Sequence, residues 1–164
     1  MPTKLYSFNN PVPIPADAKV LDVPTPSDSP INQRPNGGYK TTSLRGLYLN
    51  PPYLHDGGVA VRAGSLKFDS KGDFTIVDST GLGLPGTLRQ SIPADAVSSL
   101  RALVDRELRA KVINANKADR DLVSSNLDGT GHKFYVDRRA GFNSNQQTDL
   151  INFLLALDDN PGSF

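Results

Sequence analysis

The 164 residues carry 18 Lys+Arg against 17 Asp+Glu, a net charge of +1, and 37% of them are hydrophobic. A chain of this length is about one domain's worth and can bury an ordinary core, while near-neutrality and the lack of a basic stripe interleaved with aromatics argue against nucleic acid as a partner. The absence of cysteine excludes disulfides, thiolate metal sites, a cysteine nucleophile and any thioether bond to a haem.

The longest strongly apolar runs, Gly81–Leu84 and Phe153–Leu157, fall far short of the roughly 18 residues of a membrane-spanning helix. Met1–Asn10 lacks the apolar stretch of a secretory signal. The chain is therefore expected to have no transmembrane segment and to carry no export address of its own.

Prolines at positions 2, 11, 13, 15, 24, 26 and 30 fix their own φ and push their predecessors toward extended geometry. Residues 1–36 are expected to form an extended arm. Its Val12, Ile14, Val20, Leu21 and Val23 suit an arm that lies on a surface better than a solvated linker. Residues 37–164 form the expected domain.

From Gly37 to Gly86 the composition turns to glycine and scattered aromatics, which reads as loops and short strands. Ser65–Phe68 and Asp73–Val77 alternate apolar and polar residues around Asp69-Ser70-Lys71-Gly72, the pattern of a β-hairpin. Val97, Leu100, Val104, Leu108 and Val112 then recur at spacings of three or four, predicting one helix from Pro93 to Asn114. Its other face carries Arg101, Asp105, Arg106, Arg109 and Lys111, read as a solvated charged surface. Ala118–Ser125 suits a short helix. Ser144 with Gln147 three residues on has capping-box spacing, and Leu150, Ile151, Phe153, Leu154 and Leu157 make the helix that follows strongly apolar. The fold class expected is mainly α, with long loops and one small β-hairpin.

Chemistry centres on two histidines. His55 lies in Leu49-Asn50-Pro51-Pro52-Tyr53-Leu54-His55-Asp56-Gly57-Gly58, and His132 in Asp128-Gly129-Thr130-Gly131-His132-Lys133-Phe134-Tyr135. A histidine in such a tight loop is either a local hydrogen-bonding residue or a ligand. Gly81-Leu82-Gly83-Leu84-Pro85-Gly86 has only the glycine spacing of a dinucleotide loop, since Pro85 interrupts it. No H-x-x-x-H or H-x-H spacing supports a metal site of the histidine type, and no G-x-S-x-G elbow supports a serine hydrolase.

Gly38-Tyr39-Lys40-Thr41-Thr42-Ser43-Leu44-Arg45-Gly46-Leu47-Tyr48-Leu49-Asn50-Pro51-Pro52-Tyr53-Leu54-His55-Asp56-Gly57 resembles the stretch Y-K-T-P-x-L-R-G-L-W-x-T-A-P-Y-L-H-(N/D)-G of c-type cytochromes related to di-haem cytochrome c peroxidases. Gly129-Thr130-Gly131-His132-Lys133-Phe134 is similar to the G-x-G-H-x-(F/Y/W) turn of relatives such as the di-haem rubber oxygenases, and Asp149–Leu157 looks like the closing helix of a cytochrome c fold. The resemblance covers about residues 37–160. It implies the C-terminal portion of a cytochrome c-like fold that binds haem for electron transfer or for peroxidase-like or oxygenase-like chemistry, in the periplasm or outside the cell.

The departures matter as much. The family attaches haem through C-x-x-C-H, and this chain has no cysteine; many members use a distal methionine, and Met1 is the sole methionine here. The attachment motif would be supplied by an upstream segment or by a separate haem-bearing polypeptide, or haem has been lost. The resemblance implies His132 as the axial ligand, with His55 as a pocket residue or the alternative ligand to the metal. Arg45 is either a partner of a haem propionate or a loop-organising arginine, and Tyr48 and Tyr53 either line the haem edge or pack in the core. A redox partner protein is implied as well. The alternative is a haem-free structural or interaction subunit that keeps the fold, and a third reading is an independent histidine metal protein.

Overall fold

Alternation over Ser65–Phe68 and Asp73–Val77 closes into two antiparallel strands, β1 (Leu66–Phe68) and β2 (Phe74–Ile76), with Leu66 opposite Ile76, Lys67 opposite Thr75 and Phe68 opposite Phe74. Asp69 holds the turn: its carboxylate accepts from the amides of Lys71 at 2.8 Å and Asp73 at 2.9 Å. The computed structural model describes residues 44, 46–54, 56–130 and 134–157, so the arm expected over 1–36 lies outside the described residues. Among them this hairpin is the one sheet, and helix is the main regular structure. All of the described residues except Phe134 belong to one compact unit.

The helix expected over 93–114 is two helices, α1 (Ala96–Val104) and α2 (Arg106–Lys117), broken at Asp105. The Asp105 amide donates to the Arg101 carbonyl and ends α1, while its carboxylate accepts from the amides of Glu107 and Leu108 and starts α2. One aspartate in an extended conformation thus satisfies donors that a helix start leaves free. The apolar stripe survives the break, because Leu100, Val104, Leu108 and Val112 are all buried; Val97, expected among them, is exposed.

The solvated charged face is the larger correction. Arg101 and Arg109 are 1% and 0% exposed, and Asp105 is buried too. Arg101 sits between the hairpin's two aromatic rings, its guanidinium carbon 5.8 Å from the Phe68 centroid and 5.5 Å from that of Phe74. Arg109 is treated with the site below.

A short helix α3 (Arg120–Ser124) follows, capped by Asp119. The closing helix α4 (Ser144–Ala156) is entered one residue earlier than the Ser144–Gln147 spacing suggested. Asn143 accepts from the Gln146 amide at 2.9 Å, and the Gln146 side chain accepts from the Asn143 amide at 3.0 Å. Ser144 is released for tertiary work and donates its hydroxyl to Asp73.

Helix α4 packs on α1 and on the 3-10 turn Leu47–Leu49, and the Gly46 amide closes that end by donating to Leu157 O at 3.0 Å. Through the middle runs an extended segment, Val59–Arg62. Its period of two sends Val59 and Val61 into the main core with Leu100, Leu108, Val112 and Ile151, and Ala60 the other way against Leu84 and Leu122. Buried backbone needs partners. Val59 pairs with Tyr53, Arg62 N reaches Gly81 O, Ala60 O takes Gly83 N, and Val61 N donates to the Ser99 hydroxyl at 3.0 Å. Among the described residues, no helix is long and apolar enough to cross a membrane.

Candidate functional site

The described flanks of the two histidine loops are built differently and meet. In the first, Tyr53 and Val59 bridge through N–H to carbonyl bonds of 3.0 and 3.2 Å, and the Gly57 amide donates back to Leu54 O at 3.1 Å. The Pro51–Pro52 bond that leads into it is cis. The second follows α3, with the Leu127 amide on Leu122 O and the Thr130 amide on the Asp128 carboxylate at 2.9 Å. His55 and His132, the expected ligands, lie outside the described residues, as does Arg45.

What the structure does bring together is the flank of each loop. Asp56, which follows His55, accepts from Gly58 N at 2.9 Å through one oxygen and from Gly129 N at 3.0 Å through the other. Gly129 stands three residues before His132. Behind this junction are two wholly buried side chains of α2. Arg109 donates twice to Gly129 O, from Nε at 3.1 Å and Nη2 at 2.7 Å. Asn116 donates to Gly58 O at 2.8 Å and to Asp128 O at 3.0 Å, and its Oδ1 accepts from Leu84 N at 2.8 Å. One asparagine thereby links both loops to the glycine-rich turn Leu84–Gly86. Burial pulls the Arg109 guanidinium below its ordinary value, with Tyr135 and Asp56 pushing the other way.

The remaining expected residues are visible. Tyr53 is buried, and its hydroxyl donates to Leu47 O at 2.7 Å. Burial, reinforced by the Asp95 charge, pushes its pKa up to about 12, so it remains a phenol at any ordinary pH. Tyr48, in the turn Leu47–Leu49, is exposed, as are Leu49 of the same turn and Phe153 on α4. Among the described residues, no group of three or more His, Asp or Glu is placed to hold a metal ion.

A separate cleft of about 300 Å³ opens between the hairpin and the starts of α2 and α4. Four arginines and four carboxylates line it, so it lacks a single-sign field. Three of its carboxylates are also committed: Asp105 caps α2 and accepts from Gln147 at 3.3 Å, Asp137 accepts from the Arg139 amide at 3.0 Å, and Asp73 is held by Ser144 and by Arg138 at 3.2 Å. The arrangement is a structural tie between elements.

Asp56, Arg109 and Asn116 were not singled out in the sequence for this junction. For Arg109 and Asn116 a signal was present as spacing: Arg101, Asp105, Arg109 and Asn116 recur at four, four and seven, a polar stripe beside the apolar one. No protein-family model matches the chain, and comparison with curated proteins and with solved structures found no match.

Three carboxyls sit below the ordinary value of 3.8. The Ser144 hydroxyl lowers Asp73, with help from Arg138 and Arg101; the Thr80 hydroxyl and then Arg62 lower Asp78. At Asp128 burial pushes upward, but the Thr130 hydroxyl and amide and the Lys117 ammonium together outweigh it. Native values below unfolded ones mean that the native form binds fewer protons than the unfolded chain. The stabilisation is complete above about pH 5 and is lost as the pH falls through the native values. Urea midpoints should fall progressively from pH 5 to pH 3, and Ser144→Ala should flatten that slope; a midpoint constant down to pH 3 would contradict the assignment.

Proposed function

We propose that this chain is the completing portion of a haem site, serving electron transfer or a peroxidase-like reaction, with covalent haem attachment supplied by an upstream segment or by another polypeptide. The observation that carries the reading is the junction between the two histidine loops, where Asp56 accepts from Gly129 at 3.0 Å. The segments next to the chain's two histidines are held to each other by this bond and by the buried Arg109 and Asn116, which an ordinary pair of surface turns does not require. The donor chemistry fits: neutral imidazole is a good axial ligand to haem iron, and the lack of cysteine allows non-covalent contact but no thioether.

His132 is the proposed axial ligand, and His55 lines the pocket or takes the alternative position. Arg45 is the proposed partner of a propionate, to which a planar guanidinium donates bidentately. Tyr48 and Tyr53 are proposed along the haem edge. Tyr48 offers its exposed ring, whereas Tyr53 is buried in the core with its hydroxyl already bonded to Leu47 O. Haem, when bound, supplies a one-electron couple or a centre for peroxide or oxygen reduction. The chain's own contribution is to bind, orient and shield.

The exposed Tyr48, Leu49 and Phe153 also support completion by another polypeptide, and a site outside the cytoplasm is proposed with it. The same surface supports the second reading, a haem-free interaction subunit. The visible spectrum of the natively purified protein, with a denaturing gel stained for covalent haem, separates the two. The first reading expects a Soret band with haem on a companion chain or upstream segment, and in such a complex His132→Ala is expected to shift both the band and the midpoint potential. Haem absent from every copurifying chain would favour the interaction subunit.

A further inference from the structure

We infer that Arg109, Asn116 and Asp56 are positioning residues that clasp the segment after His55 to the segment before His132, an inference that rests on the haem reading above for its purpose but not for its geometry. The argument starts from cost. Burying a guanidinium completely is unfavourable unless its donors find acceptors, and Arg109, 0% exposed, directs two of them to a single carbonyl, Gly129 O. A residue needed only to fill space on α2 would be apolar, like Leu108 and Val112 on the neighbouring stripe.

The backbone on both sides has been kept bare to permit this approach. A Cβ on Gly58 would lie 2.3 Å from Gly129 Cα, and one on Gly129, whose φ is +77°, would lie 2.6 Å from Gly58 O. The two loops therefore meet backbone to backbone. Three side chains pin the contact at four backbone atoms: Asp56 at Gly58 N and Gly129 N, Asn116 at Gly58 O, and Arg109 at Gly129 O. Asn116 extends the pinning to Asp128 O. Because Arg109 and Asn116 both stand on α2 and Asp56 joins Gly58 to Gly129, a shift of one segment along the helix has to carry the other with it.

The consequence concerns the histidines on either side. Asp56 is joined directly to His55, and Gly129 precedes His132 by three residues. A clasp at those flanks transmits to both loops, so a lesion in it should change both histidines at once, whereas a lesion in ordinary packing at one loop should change one.

The test uses two mild variants of the full chain. Arg109→Lys keeps the charge and loses the double donation, and Asp56→Asn keeps one acceptor where two amides now need one each. Three signals are read: the ring Cε1–H resonances of the two histidines, amide exchange at Gly58 and Gly129 against Leu100 and Val112 as core controls, and titration with iron protoporphyrin. Expected are shifts in both histidine signals in each variant, exchange at Gly58 and Gly129 faster by at least tenfold with the controls unchanged, and a dissociation constant for the porphyrin raised about tenfold. Histidine signals that stay in place, or only one that moves, overturn the clasp. Both signals moving with porphyrin affinity unchanged overturns the positioning role while leaving haem binding intact. If the wild-type protein binds no porphyrin, alone or with its copurifying chains, the haem reading fails, and the clasp is decided by the histidine and amide signals.

Discussion

Gly58→Ala is expected to destabilise the protein by about 3 kcal/mol or more, the upper end of what overpacking costs. The added methyl would meet Gly129 Cα at 2.3 Å and Gly129 N at 2.4 Å, with an Asp56 carboxylate oxygen at 2.9 Å. A flexible side chain can swing away from such a contact; here the nearest atoms are backbone, fixed in turn by Arg109 and Asn116. Relief requires separating the loops, which breaks the Gly129 N–H to Asp56 bond and leaves buried polar groups open. For a chain of this size the loss corresponds to a drop in Tm of roughly 6 to 12 °C. Gly64→Ala is the internal control. Unlike Gly58, Gly64 has a positive φ, 78°, but a Cβ there meets nothing within 4 Å, so only the left-handed strain of about 1 to 2 kcal/mol applies. Equal losses for the two variants in urea unfolding would show that the close approach of the loops is not what matters at Gly58.

Asn116→Ala is expected to cost about 3 to 5 kcal/mol, because it strands three backbone groups at once. Leu84 N loses its acceptor, and Gly58 O and Asp128 O lose their donor. Leu84 N and Gly58 O are fully enclosed, while the Asp128 side is partly open and water can replace the lost bond there. That places the expectation at a few kcal/mol rather than at the sum of three full penalties. Asn116→Asp sharpens the point: the carboxylate still accepts from Leu84 N but faces two carbonyl oxygens, so it should be no more stable than the alanine variant. A wild-type urea midpoint for either protein would mean that the junction contributes nothing to stability.

The sequence by itself determined the local elements whose signals are complete within a few residues. The hairpin was legible because Asp69 and Gly72 encode the turn and the alternation on either side encodes the pairing. The apolar stripe of Leu100, Val104, Leu108 and Val112 was legible because helical spacing tolerates a one-residue break, although that same tolerance hid the break at Asp105. The closing helix was placed to within a residue, Asn143 and Ser144 being equally able to cap it.

Tertiary structure alone decided which charged residues of α1 and α2 are solvent-facing. Arg101 is buried because two phenylalanines of a hairpin distant in sequence close over it, and Arg109 is buried because a glycine carbonyl from another loop meets it. The junction of the histidine loops belongs to the same class. Asp56 and Gly129 are 73 positions apart and Asn116 and Gly58 are 58 apart, so the hydrogen bonds that unite them exist only once the chain has folded. Spacing along a helix reports which residues share a face; what covers that face is set by the rest of the fold, because burial and hydrogen-bond satisfaction are properties of the packed molecule and not of any segment of it.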